Sequence, residues 1–179
     1  MPPKKLTFDT LMEIADDTQC RQCLRHLAGS SPEIAKKITK CLEKRVRLVD
    51  RKAVAADLYS DLRSLDVEEL RAHSGKMRDR YVDVYEKAYE MFHELVEPGI
   101  DEMKRMQELS LFEEACEYCK GIMQGIADYN SSGSEFSDWI TDVPEDVISE
   151  TFDTWKEGDK SSPDEQAEVE TLCQVLIRQ

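Results

Sequence analysis

With 179 residues, 40% of them apolar and 35% charged, and a formal net charge of −14, the chain has the size and balance of one folded, heavily charged domain. Folding buries about 70% of the surface of an unfolded chain this long, so a core needs neither disulfides nor metals. No run approaches the ~20 apolar residues that span a bilayer, the opening Met1–Leu6 has no apolar leader stretch, and an acidic total disfavours nucleic acid; the expectation is a cytoplasmic protein with free thiols, away from membranes.

In chain order, Asp17 or Thr18 opens a first helix. Cys20, Cys23, Leu24, Leu27 and Ala28 recur on it at i, i+3, i+4, i+7 and i+8, and Gly29 suits its end. Ser31-Pro32-Glu33 starts a second helix, with serine as N-cap, proline at the first position and an acid in the first turn. It runs to about Val49 and carries an apolar stripe of Ile34, Ile38, Cys41 and Leu42. The same segment holds Lys36, Lys37, Lys40, Lys44, Arg45 and Arg47. Asp50 caps a third helix with Val54, Leu58 and Leu62 inward.

Asp66 caps a long helix from Val67 to about Val96, whose Tyr81, Tyr85, Tyr89 and Phe92 form an aromatic stripe read as core. Gly75 weakens its middle and is a point for a kink or split, and Pro98-Gly99 ends it, because proline lacks an amide and clashes with the preceding turn. A short helix from Ile100 to Leu109 follows. Ser110 and Glu113 have capping-box spacing and open the helix bearing Cys116 and Cys119. Residues 130–134 compose a loop, and Phe136, Trp139 and Ile140 mark a short helical turn. Pro144 begins a helix with Val147, Ile148, Phe152 and Trp155 inward. Ser162-Pro163-Asp164-Glu165 caps the last one, with Val169, Leu172, Cys173 and Leu176 inward.

No strand pattern stands out. The expected fold is all-α: antiparallel helical hairpins in an irregular, helical-repeat-like bundle. Residues 1–158 read as one helical domain, 159–162 as a polar linker, and 163–179 as a C-terminal amphipathic helix. That last helix could dock on another copy and make a homodimer.

Charge is spread unevenly. Lys36 to Lys52 is basic, opposed only by Glu43 and Asp50, whereas Glu135 to Glu170 is acidic, opposed only by Lys156 and Lys160. A helix-turn-helix around Gly29 would put the basic helix 32–49 against phosphates; the plainer reading is a solvated face, with lysines favoured toward a helix C-terminus.

The six cysteines offer a second chemistry. Cys20, Cys23, Cys116 and Cys119 form two Cys-x-x-Cys pairs, the donor set of a structural zinc site. On a helix His26 is rotated about 120° from Cys20, so it does not extend the first pair. All six cysteines also fall on apolar stripes, and reduced cysteine packs as a small hydrophobe. Core packing therefore accounts for six thiols and zinc for four. Cys20 near a helix start suggests redox chemistry, but the strands of a thioredoxin-like unit are missing. Glu90-x-x-His93 is one half of a carboxylate-bridged metal site, and the other half is absent. No Gly-rich phosphate loop or Ser/His/Asp order appears.

Cys23-Leu24, Leu27-Ala28 and Pro32-Glu33-Ile34-Ala35, followed by a hairpin with Gly121 and Gly125 and an acidic-aromatic segment ending at Trp155, resemble the helical regions that accompany SWIM-type zinc fingers in prokaryotic proteins. The finger itself, Cys-x-Cys followed by Cys-x-His, is absent. The resemblance implies a helical scaffold without its metal module.

These readings converge on a non-enzymatic helical scaffold that binds a protein or peptide, with no cofactor. Its candidate surfaces are the basic residues Lys36, Lys37, Lys40, Lys44, Arg45 and Arg47 and the aromatic helix. The alternative is a metal- or nucleic-acid-linked regulator built on the four paired cysteines or the basic helix.

Overall fold

A computed structural model describes residue 11 and residues 14–76 and 81–178. Its described residues form eight α-helices, a two-residue strand pair and one 3-10 turn, so the class is all-α. The chain divides into two compact units, Met1–Leu48 and Val49–Gln179. This division differs from the one suggested by the polar stretch 159–162.

The first unit is a helical hairpin of α1 (Asp17–Ser30) and α2 (Pro32–Val46). Asp16, not Asp17, caps α1, and Gln19 completes a reciprocal capping box. Ser31 ends α1 and caps α2 in one extended residue, its hydroxyl accepting from the Glu33 amide. The two helices pack on each other, and their half-covered side chains are Cys20, Ala28, Ala35 and Ile38. Among the described residues of α1 and α2, no side chain is fully buried.

The second unit has a true core. It comprises α3 (Arg51–Leu62), α4 (Val67–His73), β1 (Gly75–Lys76), β2 (Tyr81–Val82), α5 (Val84–Glu108), α6 (Phe112–Ser131), the 3-10 turn Glu135–Trp139, α7 (Val143–Gly158) and α8 (Pro163–Ile177). Helix α6 is its axis and packs against α3, α5, α7 and α8. That position explains why α6 is buried almost all round, from Ala115 to Tyr129. Trp155, Tyr129, Phe92, Phe136 and Met123 fill the space around it.

Two glycines let α3 approach α6 closely. A Cβ on Gly121 would stand 2.8 Å from the Val54 side chain, and one on Gly125 would stand 2.8 Å from the Ala55 carbonyl oxygen. The i, i+4 spacing puts both glycines on one face, so Val54 seats on the backbone at Gly121 and the Ala55 backbone seats on Gly125.

Three local expectations are corrected. The helix expected from Val67 to Val96 is two helices, interrupted by the antiparallel strand pair Gly75–Val82 and Lys76–Tyr81. Gly75 has φ +82°, a conformation that stops a helix, so the split the sequence suggests at this glycine is complete. Conversely, α5 runs through Pro98, where an end was expected. Proline costs a helix interior about 3 kcal/mol. Val96, Ile100, Met103 and Met106 are buried on both sides of it, and each such side chain contributes roughly 1.5–3 kcal/mol. Ser110 does not cap α6; its φ is +60° and its amide donates to the Gln107 carbonyl at 2.9 Å. The Leu111 amide reaches back to the Met106 carbonyl at 2.9 Å. Ser110 thus serves the end of α5, and α6 starts without a side-chain cap.

The last helix is not left free. Val169, Cys173 and Leu176 of α8 are buried, and the helix packs against α6 and α7. Ser162 and Glu165 form the expected capping box. The apolar face assigned to a homodimer contact is thereby used within the unit.

Candidate functional site

The paired cysteines divide by unit. Cys116 and Cys119 lie in the core of the second, with Cys119 fully covered. Burial pushes the Cys116 thiol up to about 11, although the nearby Lys120 opposes the shift, and it also pushes Cys119 well above the ordinary thiol range. Cys173 is raised for the same reason. In the first unit Cys20 is half-covered, and Cys23 and Cys41 are exposed. Core packing therefore holds for three cysteines and fails for Cys20, Cys23 and Cys41, because the hairpin has no interior to hold them. Among the described residues no group of three or more His, Cys, Asp or Glu side chains is placed to share a metal ion.

Lys36, Lys37, Lys40, Lys44, Arg45 and Arg47 are all exposed. At 100° per residue, Lys36, Lys37, Lys40, Lys44 and Arg47 lie within one side of α2, opposite the stripe of Ile38 and Leu42, while Arg45 lies on the apolar side. The first unit holds ten Lys and Arg against six Asp and Glu. The second holds fourteen against thirty-two. The charge asymmetry read along the chain thus follows the division into units.

The aromatic stripe divides along its own length. Phe92 and Val96 are fully buried, but Tyr81, Tyr85 and Tyr89 are 70%, 63% and 41% exposed. Exposure falls steadily from Tyr81 in β2 through Tyr85 and Tyr89 as α5 enters the core. Asp83 caps the helix through the Tyr85 and Glu86 amides, so its first turn is held firmly while its tyrosines remain uncovered.

Other elements extend this tyrosine surface. Trp139 of the 3-10 turn lies against Tyr85, ring centroids 5.8 Å apart. His93 stacks on Tyr89 at 5.7 Å, and its Nε2 is 3.6 Å from a Glu150 carboxylate oxygen of α7. The Tyr89 hydroxyl is raised above the usual range by partial burial and by the charges of Glu150 and Asp146. Beside Tyr85 and Trp139 opens a cleft of about 320 Å³, lined also by Val67, Arg71, Glu135 and Asp138. The surface is therefore aromatic and net acidic, with Arg71 as the cation within its cleft. The sequence offers this helix as a candidate surface yet favours core for its tyrosines, since Tyr85 and Tyr89 share the stripe of residues that pack inward.

A second depression, about 690 Å³ and open to solvent, follows the α3–α6 contact. Arg51, Lys52, Ala55, Tyr59, Gln124 and Asp128 are among its walls, and Arg51 Nη2 donates to Gln124 Oε1 at 3.4 Å. Near α8, Lys120 is 8% exposed and its ammonium donates to Glu168 at 2.8 Å and Glu117 at 3.0 Å. Burial works against its charge, but the two carboxylates outweigh it and raise the ammonium above the usual lysine range. This cluster is satisfied and ties α8 to α6; it presents no uncommitted group for chemistry.

No helix among the described residues is long and apolar enough to cross a membrane. No protein family, curated protein or solved structure matches this chain.

Proposed function

We propose that the chain is a non-enzymatic helical scaffold that binds another protein, and that it does so through the tyrosine surface of α5. The observation that carries this reading is the exposure of Tyr81, Tyr85 and Tyr89 beside Trp139. Tyrosine and tryptophan are the residues most enriched at protein contacts, since each covers much area with few rotors and keeps a polar edge. The acidic surroundings, Glu135, Asp138, Asp146 and Glu150, favour a partner segment that presents Lys or Arg, which also stack on aromatic faces. The same likeness that suggested a scaffold without a metal module fits this reading.

The test uses defined peptides: an Arg/Lys-rich helical peptide and its Glu-substituted counterpart, followed by fluorescence anisotropy. The basic peptide is expected to bind, more weakly as salt rises, and Tyr85→Ala with Trp139→Ala is expected to reduce affinity at least tenfold. Tyr85→Ala alone, at a mostly exposed position, should keep the melting temperature of the parent chain and still weaken binding, whereas Trp139 is half-buried against the core and its truncation lowers the melting temperature. Equal binding of the acidic peptide, or affinity untouched by the double variant, removes this surface from the proposal.

A second surface, the lysines of α2, suits an acidic partner. It is supported by the exposure of all six basic residues and by the net positive charge of their unit. A nucleic-acid ligand there would show retention by duplex DNA that falls steeply with salt.

A further inference from the structure

The cleft beside Tyr85 and Trp139 lies wholly within the second unit. Val67 and Arg71 of α4, Tyr85 of α5, and Glu135, Asp138 and Trp139 of the 3-10 turn line it. The Tyr85 and Trp139 rings are inclined at 50° with centroids 5.8 Å apart. They therefore meet as two sides of a corner. Side chains at i and i+3 eclipse in a 3-10 helix, so Glu135 and Asp138 project side by side, and both are exposed. The turn that carries them is fixed from beneath. The Ser134 hydroxyl accepts from the Ser137 amide at 3.2 Å and is bonded to the hydroxyl of buried Tyr129 at 2.7 Å. Trp139 itself packs against the core.

On the protein-binding reading above, we infer that this cleft takes a single lysine side chain of the partner. Its ammonium rests in the aromatic corner and donates to Glu135 and Asp138.

Volume, charge and shape select that occupant. A cleft of about 320 Å³ stands at the small end of ligand pockets, which run from roughly 300 to 1,000 Å³, and suits one side chain. Its lining sets two carboxylates against one guanidinium, so a cation is favoured. An ammonium is compact and round. It can approach two inclined rings at once and still direct its three donors at two carboxylates. A guanidinium is flat, with its forked donors in its own plane. Stacked on one of these rings, it is inclined by 50° to the other. Arg71 opposes the incoming charge, so its removal strengthens the anchor.

The experiment titrates the full chain with two helical peptides of equal length and charge, one with lysine and one with arginine at every basic position. Fluorescence anisotropy is followed at one salt concentration. The lysine peptide is expected to bind at least about threefold more tightly. Glu135→Gln with Asp138→Asn, both at exposed positions, should abolish that preference, and Arg71→Gln should tighten the lysine peptide about twofold or more. The chain has two tryptophans, and Trp155 is fully buried. Unlabelled lysine peptide should therefore shield the emission of Trp139 from an added quencher. Equal affinity of the two peptides, tighter binding of the arginine peptide, or a lysine preference that survives Glu135→Gln with Asp138→Asn would each overturn the anchor. If Tyr85→Ala still weakens both peptides, the tyrosine surface stands without it. Binding of neither peptide overturns the protein-binding reading and the anchor together.

Discussion

At the scale of single residues, glycines give the sharpest statement about packing. Gly125 and Gly99 both lie inside helices, yet their surroundings differ. Alanine at Gly125 would press its methyl on the Ala55 carbonyl oxygen at 2.8 Å and on Leu58 at 3.2 Å, whereas at Gly99 the nearest atoms are Ile122 side-chain carbons at 3.4 Å. Overpacking costs about 1–3 kcal/mol, and replacing a helical glycine by alanine gains about 1 kcal/mol. Gly125→Ala is therefore expected to destabilise by up to about 2 kcal/mol, and Gly99→Ala to stabilise by about 0.5–1 kcal/mol. Urea denaturation of the two variants checks both signs. Sequence inspection picked out Gly121 and Gly125 as a pair; Gly99 it read as a terminator, because the cost of Pro98 is local and visible while the burial that offsets it is distant.

At the scale of elements, α8 depends on the Lys120 cluster as well as on its apolar face. The pH dependence follows from the two shifts. The Glu168 carboxyl is lowered chiefly by its hydrogen bond to Lys120, so its contribution is complete above the ordinary carboxylate range and disappears as pH falls through the lowered folded value. The Lys120 ammonium is raised, so its contribution is complete below the ordinary lysine range and disappears only as pH rises through the still higher folded value. The clasp is therefore whole between about pH 5 and 10 and weakens first in acid. Lys120→Glu puts a third carboxylate into a nearly closed site and is expected to cost about 2–3 kcal/mol at neutral pH. Lys120→Met should cost less than about 1 kcal/mol and flatten the loss of stability between pH 5 and 3. Denaturant midpoints across that range decide it.

Most element boundaries were legible because caps are local chemistry. Asp50, Asp66 and Ser162 each accept from amides two or three residues on, as their sequence positions imply. Ser110 has the same local pattern and a different role, since the turn closing α5 claims its backbone first. The candidate site was less legible. A stripe of tyrosines reads as core at any point along a helix, and only the neighbouring elements decide where the core begins. Cys20, Cys23 and Cys41 were misplaced for the same reason: periodicity identifies the face that wants cover and is silent on whether cover is present.

For the whole molecule, the contrast between the two units bears on time as well as on energy. In the second unit α6 touches four other helices, so its amides exchange with solvent only when the unit opens as a whole. The hairpin has no fully covered side chain among its described residues, and helices of this length are marginal without packing. Its amides are expected to exchange orders of magnitude faster than those of α6 in dilute protein. Pulse labelling with deuterium followed by mass spectrometry would show two separate envelopes of protection, and comparable protection of both units in dilute protein would disprove the distinction. The same protein then carries two lifetimes: a body that persists, and a pair of helices that opens and closes many times within one lifetime of that body.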